Sequence, residues 1–452
     1  MTNTDNATAS EPAQVDYKYA WYASGVLMLA YTFSFLDRQI LNLMVGPIRA
    51  DLNISDFQFA LLAGAAFGIF YTIMGLPLGW AADRFKRKWI ITAGVTVWSL
   101  MTMLCGFARN FPQLFAARIG VGVGEAALSP SAYSMLSDYF DKSRLPRAMS
   151  IYTTGIFVGA GIALILGGAV VSAVQTHPDI TLPLIGQMKS WHMVFVIVGL
   201  PGLLLALLMS TLKEPERRDR TVEDKDIKLG AVFSYMRRFP MMSVSLMLGA
   251  ALYSVTTYSD TWYPELFIRT WDWSPAQSGM VNGISSLVGG PIGLIFAGWY
   301  SGHLLKRGVN DACLRLTAYG ALAITIPATL MPLMPSSWMM AGLLFPTKLF
   351  SALTPVLIPS AIQLVAPNQI RGQMGAIFLF TVGILGVSLG PILPATLTDF
   401  IFHDDNALRY SLSITTAILG PLTFVTLWMG LKEYRAAFAE AEARRAGQEV
   451  AS

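Results

Sequence analysis

The chain has 452 residues, 54% of them hydrophobic and 13% charged, with a formal net charge of +4. A soluble globular domain carries about 25% charged residues, and a mean hydropathy of +0.51 over this length leaves too little polar surface for a water-soluble fold. An ordinary cytosolic protein, a disordered chain and a basic nucleic-acid binder are excluded in spite of a pI near 8.9, and the chain belongs in a bilayer.

Residues 1–18 are polar and lack a basic segment followed by an apolar core, so no cleavable signal peptide is expected. A bilayer-spanning helix needs about 20 largely apolar residues. Twelve such stretches follow in chain order, at 19–45, 57–81, 89–108, 112–137, 147–173, 191–212, 241–264, 275–302, 313–331, 338–364, 372–400 and 409–431. Alternating hydrophobicity of strand length is absent, which excludes a transmembrane β-barrel. The expected fold is an all-α membrane protein with twelve transmembrane helices in two six-helix bundles, 19–212 and 241–431. They are joined by a linker, 213–240, with eight basic and six acidic residues, and flanked by tails 1–18 and 432–452.

The basic residues orient the chain. With both termini cytoplasmic, 24 of the 32 lie on that side, and five (Arg49, Arg109, Lys189, Arg269 and Arg409) lie outside. The expected location is the cell inner (plasma) membrane, multi-pass, with both termini inside. The stretch Gly79-Trp80-Ala81-Ala82-Asp83-Arg84-Phe85-Lys86-Arg87-Lys88 follows the second helix, and Gly298-Trp299 through Lys306-Arg307 follows the eighth at an offset of 219 residues. Parallel six-helix repeats of this kind are a transporter plan. Cys105 and Cys313 form neither a disulfide framework nor a metal site. The four histidines (His177, His192, His303 and His403) lie in or beside loops without metal spacing, so no metal and no cofactor are expected.

The stretch 79–88 resembles the signature loop of the major facilitator superfamily, which runs Gly, small residues, Asp-Arg, Gly and then basic residues. Lys86 stands where that pattern has a glycine, a departure expected to weaken the turn. Within the superfamily, YTFSFLDRQILNLMVGPI on the first helix and ARIGVGVGEAALSPSAYSMLSDYF on the fourth are similar to the Spinster branch, whose members export lysolipids or sphingoid lipid phosphates. The resemblance spans essentially the whole chain and implies alternating access around a central cavity, with the first and fourth helices as neighbours.

Ionisable residues at membrane depth are expensive and point to function. Asp37, Arg38, Arg118, Glu125 and Lys348 stand out. At about 1.5 Å per residue, Asp37 and Arg118 lie at nearly the same level, so an Asp37–Arg118 pair is expected, either as a helix clasp or as part of a switch. Glu125 is two turns beyond Arg118 on nearly the same face, and both are expected to face one cavity. A carboxylate in a dry site resists ionisation and a nearby arginine restores it, so Asp37, Arg118 and Glu125 form a candidate proton-coupling set. Arg38 points about 100° away from Asp37 around the helix, and is open between substrate binding and a structural or headgroup-level contact. Lys348 is open between holding an anionic headgroup and pairing with a carbonyl or serine.

At the end of the second helix, Asp83 with Arg84, Arg87 and Lys88 is read as a gate that clasps neighbouring helix ends when the cytoplasmic side is closed. For Lys86, Arg87 and Lys88 themselves, positive-inside anchoring is the simpler reading. Tyr31, Phe35, Tyr152, Tyr253, Tyr258 and Trp262 either line an amphipathic-substrate cavity or anchor helices at the interface. Gly120, Gly122 and Gly124 allow close packing beside Arg118 and Glu125.

The absence of a GxxxxGK[ST] loop excludes a primary pump, and no catalytic cluster marks an enzyme. The expected function is secondary active transport of a small amphipathic substrate, lipid-like or an organic anion, coupled to protons. Partners are then that substrate, protons and membrane lipids, without nucleic acid, in a monomer. A passive scramblase or an uncoupled uniporter is the alternative.

Overall fold

The computed structural model describes residues 16–141, 144–176, 180–182, 186–217 and 229–451. Twelve helices cross it: α1 (Tyr17–Asn42), α2 (Asp56–Arg84), α3 (Arg87–Cys105), α4 (Phe111–Glu125, resumed as Leu128–Tyr139), α5 (Arg147–Gln175), α6 (Ser190–Ser210), α7 (Pro240–Trp271), α8 (Pro275–Lys306), α9 (Ala312–Leu333), α10 (Ser337–Val365), α11 (Gln369–Phe402) and α12 (Leu408–Met429). Among the described residues ten helical stretches are long and apolar enough to span a bilayer, and α1 and α4 lie outside that set. They are also the helices that carry Asp37, Arg38, Arg118 and Glu125.

The interruption of α4 has a local cause. Pro130 has no N–H for the carbonyl of Ala126, so the ladder breaks just after Glu125 and restarts at Leu128. The first piece lies close to its neighbours because Gly122 and Gly124 have no side chain. A Cβ on Gly122 would meet the Phe67 carbonyl oxygen at 2.7 Å, and one on Gly124 the Trp98 nitrogen at 2.6 Å.

Helix pairings repeat with a period of six. α1 packs on α5 and α7 on α11; α2 packs on α4 and α8 on α10; α3 packs on α6 and α9 on α12. The halves meet where α5 packs on α8 and α11 on α2. Residues 218–228, the centre of the linker, and 1–15 lie outside the described residues, but four features differ from the sequence expectation. A short helix, Val45–Leu52, follows α1. The linker ends in a helix, Leu229–Arg238, and the C-terminal tail is helical over Leu431–Ala451. A small antiparallel hairpin also pairs Ile180–Leu182 with Gly186–Met188 between α5 and α6.

The apolar core is single at one end of the molecule and divided at the other. Away from the termini, one cluster joins both halves, with Leu41, Leu62, Trp191 and Phe195 against Trp262, Phe267, Met340 and Leu412. At the end that bears the termini, one cluster belongs to the second half (Val232 to Phe438) and another to the first (Ala20 to Leu212), joined from the far side only by the partly buried Val387. The molecule is therefore sealed at one end, and a cleft between the halves opens at the terminus-bearing end.

Candidate functional site

The cleft is lined from α1 by Tyr31, Phe35 and Arg38. Asp37 and Arg38 are adjacent, so they face different neighbours. The Asp37 carboxylate, 3% exposed, turns to α3 and accepts a hydrogen bond from the Thr102 hydroxyl at 3.0 Å. Arg38 turns to α4, where Glu125 Oε2 accepts from Nε at 2.7 Å and lies 2.5 Å from Nη2. The Glu125 side chain is fully buried and that of Arg38 is 19% exposed, so the arginine covers the carboxylate from the cleft side.

The expected Asp37–Arg118 ion pair is not formed among the described residues. Arg118 reaches Asp37 but donates to its main-chain carbonyl at 3.5 Å, and to that of Leu62 at 3.4 Å. The physical reason is the azimuth of α1, which directs the Asp37 side chain to α3. Arg38, open from sequence between substrate binding and a structural or headgroup-level contact, is the partner of Glu125. The Phe67 ring lies between the two arginines, 4.3 Å from the Arg38 guanidinium and 5.6 Å from that of Arg118. Phe35 and Tyr71 complete an aromatic cage around Arg38, at 4.9 and 5.0 Å. Tyr31 extends this surface, edge-on to Phe35 and stacked on Tyr152 at 4.6 Å, and the Tyr152 and Ser129 hydroxyls lie 3.2 Å apart.

The second half supplies a matching pair. Lys348 Nζ lies 2.6 Å from Asp260 Oδ2, so its partner is a carboxylate rather than the carbonyl or serine considered from sequence. Asp260 was missed because it lies near the end of the predicted seventh helix. Its signal was available, as an acidic residue inside an apolar stretch. Tyr258 lies within electrostatic reach of both Arg38 and Asp260.

The sealed end is held by ions that the sequence reading treated only as outside-loop charges. Arg49 meets Asp405 through two 3.0 Å bonds, and Arg269 meets Asp56 at 2.8 and 3.0 Å; both pairs join the two halves. Arg49 also pairs with Asp56 at 3.0 Å, and the Phe57 N–H at the start of α2 donates to Asp399 at 2.6 Å. Asp56, Asp399 and Asp405 come close enough together to hold a cation, but the two guanidiniums and the Phe57 N–H already occupy their oxygens.

The signature loop shows four features that its sequence reading did not have. Arg87, read as an interface anchor, is 1% exposed and pairs with Asp138 on α4 and with Glu214 at 2.8 Å. Arg217 donates to the carbonyl of Asp83 and to those of Ala82 and Phe85 at 2.7 Å, closing the C-terminus of α2 within its own half. Arg84 stacks on Trp80 at 3.9 Å instead of reaching a neighbouring helix. Lys86 adopts φ −65° and ψ 114°, an ordinary extended conformation, so this turn has no need of glycine.

Two pseudo-symmetric helical halves around a one-ended cleft, with buried ion pairs at membrane depth, define a secondary transporter fold. The sequence profile of the Major Facilitator Superfamily matches residues 27–435, and the chain belongs to that superfamily. An MFS-type efflux pump of Mycolicibacterium smegmatis is 28% identical over 444 residues, covering 96% of each chain. A probable galactarate/D-glucarate transporter, GudP of Bacillus subtilis, is 24% identical, covering 92% of this chain and 95% of that one. Among solved structures, a bacterial homolog to the human lysosomal transporter Spinster, in an inward-facing and unoccupied conformation, superposes with a TM-score of 0.75 at 24% identity, over 94% of this chain and 98% of that one.

Proposed function

We propose that this protein moves a small amphipathic anion across the cell inner membrane by alternating access, coupled to protons. The Arg38–Glu125 pair carries the reading. Arg38 is the part of the pair that touches the cleft, and an anionic group entering there competes with Glu125 for it. A buried carboxylate stripped of its cation holds a proton far more readily than a paired one. Glu125 Oε1 has no hydrogen-bond partner among the described residues, so a proton placed there breaks no bond. Substrate binding and protonation are then linked through one guanidinium.

The substrate class follows from the lining. Tyr31, Phe35 and Tyr71 offer apolar faces, while Arg38 and Lys348 offer one cation from each half. Relatives named for efflux and for sugar-acid transport support transport in general, and the resemblance to Spinster supports a lipid-like member of the class. The bias of 24 basic residues to five supports cytoplasmic termini, which makes the cleft inward-open. The sealed outer end supports gated transport over a passive leak. Asp83 and Arg84 are assigned to the inner gate, to be engaged when the cleft closes.

Proteoliposomes with a trapped pH dye test this reading. Adding lysophospholipid or aldarate should move protons with wild-type protein and not with Glu125→Gln. Substrate accumulation without proton movement, retained in Glu125→Gln, would overturn it.

A further inference from the structure

A groove of about 560 Å³ runs along the lipid-facing surface between α2, α3 and α4, apart from the central cleft. Its walls include Leu78, Trp89, Ala93, Val97 and Val123, and Lys86 is the one charged residue that lines it. Its floor is closed by direct contact of α3 and α4: a Cβ on Gly94 would meet the Ala127 Cβ at 2.6 Å and the Gly124 carbonyl oxygen at 2.7 Å. The groove therefore does not communicate with the transport path.

From Lys86 to Val97 the helix rises about 16 Å, close to one leaflet of a hydrocarbon core about 30 Å thick. Lys86 marks the polar end, beside Trp89, an interface residue 52% exposed. The other cations of the loop are engaged: Arg84 on Trp80, Arg87 in its buried ion pairs and Lys88 over Trp89 at 4.9 Å. The Lys86 side chain is exposed and makes no ion pair or hydrogen bond among the described residues. An apolar channel one leaflet long, ending in an unpaired cation at a membrane surface that carries negative charge, matches an anionic phospholipid.

We propose that this groove binds one anionic phospholipid of the cytoplasmic leaflet, with an acyl chain along α3 and its phosphate at Lys86. The site rests on the orientation given above for its leaflet, but not for its chemistry, so binding measured in detergent tests it separately. Lys86 then has a use that the glycine of the superfamily pattern cannot supply.

Native mass spectrometry of purified protein titrated with phosphatidylglycerol or phosphatidylcholine reads the site. Wild type should retain one phosphatidylglycerol about fivefold better than phosphatidylcholine. Lys86→Gln should bring the two lipids to parity, and Ala93→Trp, which fills the groove from an exposed position, should lower retention of both. Both variants should keep the wild-type melting temperature in lipid-free detergent. A preference that survives Lys86→Gln, retention unchanged by Ala93→Trp, or displacement of the lipid by inorganic phosphate alone would overturn the proposal. So would a dimer abolished by Ala93→Trp, because the groove would then hold a second copy.

Discussion

Arg38 grips a single oxygen of Glu125 with two nitrogens, at 2.7 and 2.5 Å, and leaves the other oxygen without a hydrogen-bond partner among the described residues. The contact ties α1 to α4 immediately before the Pro130 interruption. Helix geometry and charge are thereby joined at one point: movement of α1 against α4 changes how well Glu125 is neutralised.

Removing only the cation should be costly. Arg38→Ala leaves a carboxylate buried and uncompensated, a change worth about 3–5 kcal/mol where a buried pair is broken. Arg38→Ala combined with Glu125→Gln removes the stranded charge and should recover most of that loss. Thermal melts of the single and double variants in one detergent check this; a double variant no more stable than Arg38→Ala would show that the pair contributes through something other than charge.

Arg87 should behave as a core residue. It pairs with Asp138 and Glu214, and its Nη1 also donates to the Ser134 carbonyl at 3.0 Å and hydroxyl at 2.8 Å. Arg87→Gln should lower stability by about 3 kcal/mol or more, whereas Lys88→Gln, which alters a half-buried cation with no ion pair among the described residues, should change it by less than about 1 kcal/mol. Equal melting temperatures for the two variants would return Arg87 to the role of an interface anchor.

The twelve crossings and the division into halves were legible because apolar length and a six-helix repeat are properties of the sequence. So were Asp37, Arg118 and Glu125 as charges at membrane depth. Their partners were not. Asp37 and Arg38 differ by one residue, and the azimuth of α1 that sends one to Thr102 and the other to Glu125 is set by packing against α4, α5 and α6. The same holds for Arg87, where three basic residues in a row look alike in sequence and only the placement of Asp138 and Glu214 singles one out. The ties at the sealed end join residues more than 200 positions apart, such as Asp56 and Arg269, which no local pattern connects.

The sealed end should depend on Asp56 more than on Asp405. Asp56 is fully buried and meets both Arg49 and Arg269, while the Asp405 side chain is 54% exposed. Asp56→Asn leaves two guanidiniums short of charge and should shift the population toward an outward-open state, whereas Asp405→Asn should shift it by about 1 kcal/mol or less. Labelling of Tyr71→Cys by an impermeant thiol reagent added from the sealed side reads the shift. No gain in labelling with Asp56→Asn would place the closure in the shared apolar core instead.

A second tie on the same side predicts a flat pH response. Asp51 accepts from Lys189 and, at 2.7 Å, from the Trp191 indole N–H, so it fastens the short helix after α1 to the start of α6. Partial burial works to raise its pKa, but the hydrogen bonds from Lys189 and Trp191 and the charge of Lys189 outweigh it and hold the carboxyl below its ordinary value. A carboxyl lowered in this way contributes stability that is fully present above its unfolded pKa of about 3.9, and loses it as pH falls through the folded value. Wild type should therefore be more stable than Asp51→Asn by a constant margin of about 1 kcal/mol or less from neutral to mildly acidic pH, with the two melting curves converging only below about pH 4. Any change in transport between about pH 5 and 7 should survive in Asp51→Asn, because this carboxylate stays ionised throughout that range. Convergence of the melting curves already at pH 6 would mean that Asp51 titrates with the transport cycle.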